Sequence, residues 1–508
     1  MKPNLQFTLN NLLLLIISSF DLHTHHIHSL YSTKLKMQGS ASTSSSATID
    51  HVTVEIIPEE TLNLLSSINS KMESLSISNC ICRLPQHVSK GNEHNYFPKR
   101  VSIGPFHRGN AALRAMEVQK WRYLNALLSR GGQDTESALD ACIERLRRLE
   151  SRARKCYGGG GEGRMIGLGR DEFVEMMLLD GCFIIELLLR FAFRGIRRKD
   201  DPCFSSREAF SGVRSDLILA ENQIPFFVVE HLYKVVPLPK DCSSFSLAHL
   251  FLLFVRKLID RPPEGSLPAT QDQKFGPFVY HLLDLVRHCY LPATPPLQST
   301  ATGEQKNLYS ATQLQAAGIK FRKKALSSTD QSILDITYDD RGVLAIPPIK
   351  VENHTETLFR NIIALEEYTP HQTTNHYVAS YVYLMKCLIR CKEDVSFLRR
   401  KGILIVSGTM GNDEEIVGVF DSLHVKINGE DEEFYYRGLC EKVNRFSNVG
   451  MEKKEKKKKK KEVLWQKMGD VYHRTPWGAA VFVVAILALV SSLSAALFFA
   501  ITFLFHHA

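Results

Sequence analysis

No C-x-x-C pair occurs in this chain of 508 residues, although it holds eleven cysteines. An odd set scattered from Cys80 to Cys440 excludes the disulfide framework of a small secreted protein and reads as reduced thiols. Two close pairs, Cys80 with Cys82 and Cys387 with Cys391, lack a second pair at zinc spacing, so no metal site is expected. A Walker lysine, a G-x-S-x-G elbow and an H-E-x-x-H helix are also missing. The commonest signposted chemistries are thereby excluded, and the expectation is no catalytic residue and no cofactor. Gly158, Gly160 and Gly163 of "GGGGEG" formally meet G-x-G-x-x-G, but an arginine-rich helix precedes them where a nucleotide site needs a strand, so they read as a flexible connection.

Net positive charge is small outside one place. The net charge is +9, and within the eleven residues from Glu452 to Glu462 eight lysines oppose three glutamates, giving +5 and leaving +4 for the rest. Those lysines are Lys453, Lys454, Lys456, Lys457, Lys458, Lys459, Lys460 and Lys461. A patch so local is not the footprint of a nucleic-acid-binding face. From Thr475 onward Asp, Glu, Lys and Arg are absent, and the run that begins at Trp477 and ends at Phe505 exceeds the ~20 apolar residues that span a bilayer. It reads as one C-terminal transmembrane helix, with Trp477 as interfacial anchor.

The lysine run, Lys467 and Arg474 all precede that helix, so the positive-inside rule places the body on the cytosolic face, most simply at the plasma membrane. The lysines are then expected against anionic lipid. Residues 1–36 carry a competing signal: a short apolar core from Leu12 to Ile17 that, used as a signal peptide, would make this a luminal or extracellular receptor-like protein. The Ser/Thr-rich tail that opens at Met37 favours an upstream extension instead, with residues 1–50 disordered.

Residues 51–447 read as a mainly α body, and residues 448–476 as a polybasic juxtamembrane linker. Helical spacing recurs in "TLNLLSSINSKMESL", "ALRAMEVQKWRYLNALLSR", "DACIERLRRLESRARKCY" and "RDEFVEMMLLDGCFIIELLLRF", the last apolar nearly all round. The segment "FVYHLLDLVRHCY", with His281 and His288, lies between Pro-rich stretches and reads as a surface insertion. One β-hairpin is expected in "ILDITYDDRGVLAIPPIKV", turning at Asp339, Asp340, Arg341 and Gly342. In "SDLILAENQIPFFVVEHLY", Pro225 opens a helix, and Glu221, Asn222 and Gln223 read as a structural corner whose amides satisfy the exposed N–H groups of that helix. The alternative is an unsignposted active site using Glu221, Asp180 or His107.

The blocks "YFPKRVSIGPFHRG", "EFVEMMLLDGCFIIELL", "DLILAENQIPFFVVEHLY", "AAGIKF", "LDITYDDRGVLAIP", "TETLFRNIIALEE" and "PWGAAVFVVAILAL" occur in this order. Together they resemble the plant family called domain of unknown function 247. The resemblance implies a plant source, a helical cytosolic body and a C-terminal membrane anchor. It implies no reaction, and because some relatives are implicated in pollen and stigma self-incompatibility in grasses it implies at most a recognition or signalling role. The lack of catalytic signatures beside a clear anchor points to a membrane-anchored, non-enzymatic interaction protein with an unknown protein partner.

Overall fold

Residues 170–192 are apolar on nearly every side, and such a helix has to be surrounded. In the computed structural model it is. Helices α1 (Arg114–Leu128) and α2 (Thr135–Lys155) pack on α3 (Arg170–Ala192); beyond α4 (Arg207–Asp216), α5 (Phe226–Tyr233) and α6 (Leu247–Val255) cover its other sides. Seventeen of the 23 residues of α3 are buried, so this helix is the axis of the body. Gly181 sets its distance from α5: a methyl group there would stand 2.4 Å from Leu232 Cδ1.

The structure describes residues 80–130, 134–158, 166–239, 242, 245–259, 279–292, 308–325, 332–369, 376–407, 412–427, 434–474 and 477–506. All of them fall in the unit Ile68–Ala508. The N-terminal extension, the helix expected at residues 61–75, the glycines beyond Gly158 and the Pro-rich stretches at 261–273 and 293–300 lie outside the described residues.

Toward the C-terminus come α7 (Leu282–His288), α8 (Ala311–Ala317), α9 (Thr355–Tyr368), α10 (Tyr377–Leu388), α11 (Lys392–Arg400) and α12 (Asp413–Ser422). A single hydrophobic cluster joins them to the α3 group, running from Val101 to Val443. Helix α7 corrects the reading of a surface insertion: Leu282, Leu283, Leu285 and Val286 are buried, and His281 caps the helix by accepting from the Asp284 amide. Its flanking prolines drew attention away from an apolar run that belongs to the core. Cys387 lies in α10, whereas Cys391 begins α11 with its thiol on Asp394 at 3.3 Å.

Strands are more numerous than the one hairpin expected, though all are short. β1 (Ile81–Cys82) runs parallel to β2 (Tyr157–Gly158), and β6 (Ile349–Val351) parallel to β7 (Leu404–Val406). The expected hairpin is present as β4 (Thr337–Asp339) and β5 (Val343–Ile346), antiparallel, with β3 (Lys320–Lys323) added in parallel on the other side of β5. Two-residue and three-residue strands paired across long sequence separations carry no period-2 signal of their own.

Helix α13 (Arg437–Arg474) is continuous over 38 residues. The expected linker is therefore the outer part of a helix rooted in the body. Leu439, Cys440 and Val443 are buried, Phe446 packs against the core, and Lys454 donates to the Ala316 carbonyl at the end of α8. Beyond this point the described residues are exposed. The last helix, α14 (Gly478–His506), has 29 residues. Among the described residues no helix is long and apolar enough to cross a membrane; within α14 the described side chains run unbroken only over 483–498, fewer than the ~20 a span requires.

Candidate functional site

The segment "KRVSIG" at residues 99–104 is buried from Val101 to Gly104 yet belongs to no sheet, so its peptide groups must find side-chain partners. They do. Asp216, at the end of α4, accepts from the amides of Lys99 at 3.0 Å, Arg100 at 2.6 Å and Val101 at 2.9 Å. Burial pushes its carboxyl up to about 6 although those three amides pull the other way. Asn222 accepts from Ile103 at 2.7 Å and donates to the carbonyls of Val101 at 3.0 Å and Asp216 at 2.9 Å. Asp180, on α3, accepts from Gly104 at 2.7 Å and pairs with Lys120 of α1 at 2.6 Å, while Lys120 also donates to the Ser102 carbonyl.

Asn222 and Gln223 do not satisfy the helix that follows Pro225, as the sequence suggested. Gln223 donates to the Leu217 and Leu219 carbonyls, both at 2.9 Å, and so closes the turn that follows α4. The first amide of α5, on Phe226, bonds to the Tyr280 carbonyl at 2.8 Å instead. Pro225 is the residue immediately before α5, with φ −58° and no side-chain cap. Asn361 of α9 ties in a further block, accepting from Ala220 at 2.9 Å and donating to the Asn95 carbonyl at 2.8 Å. No local sequence signal marked the long-range bonds of Asp216, Lys120 and Asn361, to Lys99, Asp180 and Ala220, which span 117, 60 and 141 positions.

Glu221 and His107 are the two candidates with capacity left over. Glu221 accepts from the Leu84 amide at 2.6 Å and lies 3.7 Å from both Arg83 and His107, and burial raises its carboxyl. The buried Nε2 of His107 has no hydrogen-bond partner. Burial, then the nearby Arg83 charge, hold His107 down to about 4, so at pH 7 it is neutral and its approach to Glu221 is not an ion pair. The arrangement thus brings Asp180, Glu221 and His107 to one segment of chain, but commits Asp180 to holding the fold. Glu221 and His107 stand 3.7 Å apart, beyond hydrogen-bond reach, so no proton-transfer contact joins them in this arrangement.

That neutral histidine makes a prediction. Its folded value near 4 lies below the unfolded value of about 6.5, so its stabilising contribution is present above pH 6.5 and is lost as pH falls toward 4, by about 3 kcal/mol at most. Urea midpoints should therefore drop between pH 7 and pH 4.5, and drop less steeply in His107→Gln. Equal slopes for the two proteins would contradict the assignment.

The fold and this clasp define a helical body, closed by internal polar bonds and extended by a basic helix and an apolar one. Residues 81–491 match the profile of DUF247, described as a plant protein of unknown function, and the chain belongs to that family. It is 29% identical to the UPF0481 protein At3g47200 of Arabidopsis thaliana, over 81% of this chain and 85% of the relative. To the putative UPF0481 protein At3g02645 of the same plant it is 21% identical, over 84% of this chain and 92% of the relative. No solved structure matches.

Proposed function

We propose that this is a membrane-anchored, non-enzymatic interaction protein, with α14 as a single transmembrane anchor and the helical body on the cytosolic face, recruiting or recognising another protein there. The observation that carries the reading is the state of α14. It contains no Asp, Glu, Lys or Arg, and apolar side chains along it are exposed: Leu487, Leu493 and Leu497 are 62%, 65% and 65% exposed. Exposed apolar surface is unfavourable in water by roughly 25 cal/mol per Å², and a bilayer removes that penalty. The basic residues on its N-terminal side support the cytosolic orientation, with the plasma membrane as the simplest address. Asp180, Asp216, Asn222 and Gln223 are committed to backbone groups, which favours a binding role over catalysis.

Removing residues 477–508 tests the anchor. The truncated protein is expected to pass into the soluble fraction, while the full chain resists carbonate extraction. A truncated protein that stays with carbonate-washed membranes would overturn the reading.

A further inference from the structure

We propose that the outer half of α13 lies along the surface of an anionic bilayer, with Leu464 and Trp465 entering the headgroup region beside the lysines. The proposal rests on α14 being the anchor. It turns on the continuity of α13, because a rigid helix fixes how far its charges stand from the span.

At 1.5 Å per residue, Lys461 lies about 24 Å and Lys453 about 36 Å before Trp477 along the helix. Charges in physiological salt interact over about 8 Å. An upright α13 would therefore hold all eight lysines out of reach of the lipid, and six of them in succession would repel one another along the helix. Among the described residues two internal pairs relieve this, Lys456 with Glu452 at 3.7 Å and Lys458 with Glu462 at 3.9 Å. Laid flat, the same helix brings the lysines on its lipid-facing side to phosphate depth.

The residues beyond the lysines fit that orientation. Leu464 and Trp465 are each 59% exposed. In sequence Leu464, Trp465, Met468, Val471 and Tyr472 recur at the i, i+1, i+4, i+7 and i+8 spacing of an amphipathic helix, interspersed with Lys467 and Arg474. An apolar stripe with basic flanks is the composition of a helix that lies in the membrane interface. α13 and α14 are separate helices, and Pro476, which cannot continue a helix from upstream, stands between them in sequence. A second copy of α13 is the poorer occupant, since pairing the two stripes would bring two runs of lysines together.

The test is tryptophan fluorescence on the full chain carrying Trp121→Phe and Trp477→Phe, which leaves Trp465 as the sole tryptophan. Reconstituted in vesicles containing phosphatidylserine, Trp465 should emit to the blue of its position in water, be quenched by lipids brominated near the headgroup, and be several-fold less accessible to acrylamide than in the soluble form truncated before Trp477. Replacing Lys456 to Lys461 with glutamine should restore much of that accessibility while the protein still resists carbonate extraction. Water-like emission and full acrylamide access in a carbonate-resistant protein would overturn the flat helix and leave the anchor standing. Shielding that scales with protein-to-lipid ratio, without quenching by brominated lipid, would also overturn it by pointing to helix pairing. Loss of carbonate resistance in the full chain would instead count against the anchor itself.

Discussion

Asp180→Ala should destabilise the body by about 3–5 kcal/mol, the range for removing one partner of a buried ion pair. Asp180 and Lys120 are each about 1% exposed, and the 2.6 Å bond between them joins α3 to α1. Alanine leaves the Lys120 ammonium without that carboxylate and strips the Gly104 amide of its acceptor at the same time. Asp180→Asn, which keeps an acceptor for Gly104 but loses the charge, should fall between the two. Urea unfolding of the fragment that ends before Trp477 gives the comparison. A loss below about 1 kcal/mol for the alanine variant would mean that the clasp does not hold the segment in place.

Gly104→Ala is expected to be comparably damaging for a different reason. The residue has φ +77°, and a β-carbon added there would stand 2.3 Å from the Gln223 carbonyl oxygen, a backbone atom that cannot swing aside. Gly109 supplies the control: its φ is +84°, but nothing lies within 4 Å of an added methyl group. Gly109→Ala should lose only the left-handed backbone penalty of about 1–2 kcal/mol. Gly104→Ala should exceed it by a further ~2 kcal/mol or leave no folded protein. Similar midpoints for the two variants would contradict the close approach of residues 104 and 223.

What could be read from the sequence was whatever repeats locally. The all-round apolar character of residues 170–192 announced a central helix, and the alternation about Asp339 to Gly342 announced the hairpin, because each pattern is complete within a few turns or strands. Glu221, Asn222 and Gln223 stood out as polar residues in an apolar run, yet their partners could not be deduced. Asn222 bonds to a segment some 120 positions upstream, and spacing in sequence holds no record of such a pairing. The same limit hid the parallel strand β3 and the core position of α7. The lysine run, read as a linker for its composition, is helical because α13 is nucleated by buried residues before it begins, Leu439 to Val443, and extending a formed helix is far easier than starting one.

The most direct test of a body anchored at its C-terminus and facing the cytosol is protease protection on sealed plant membrane vesicles with the cytosolic side outward, following tags at both ends of the chain. The account predicts that protease added outside removes the N-terminal tag and digests the body without detergent, leaving a short C-terminal fragment with the tag that follows residue 508. A body that stays intact until detergent opens the vesicles would place it in the lumen and contradict the account.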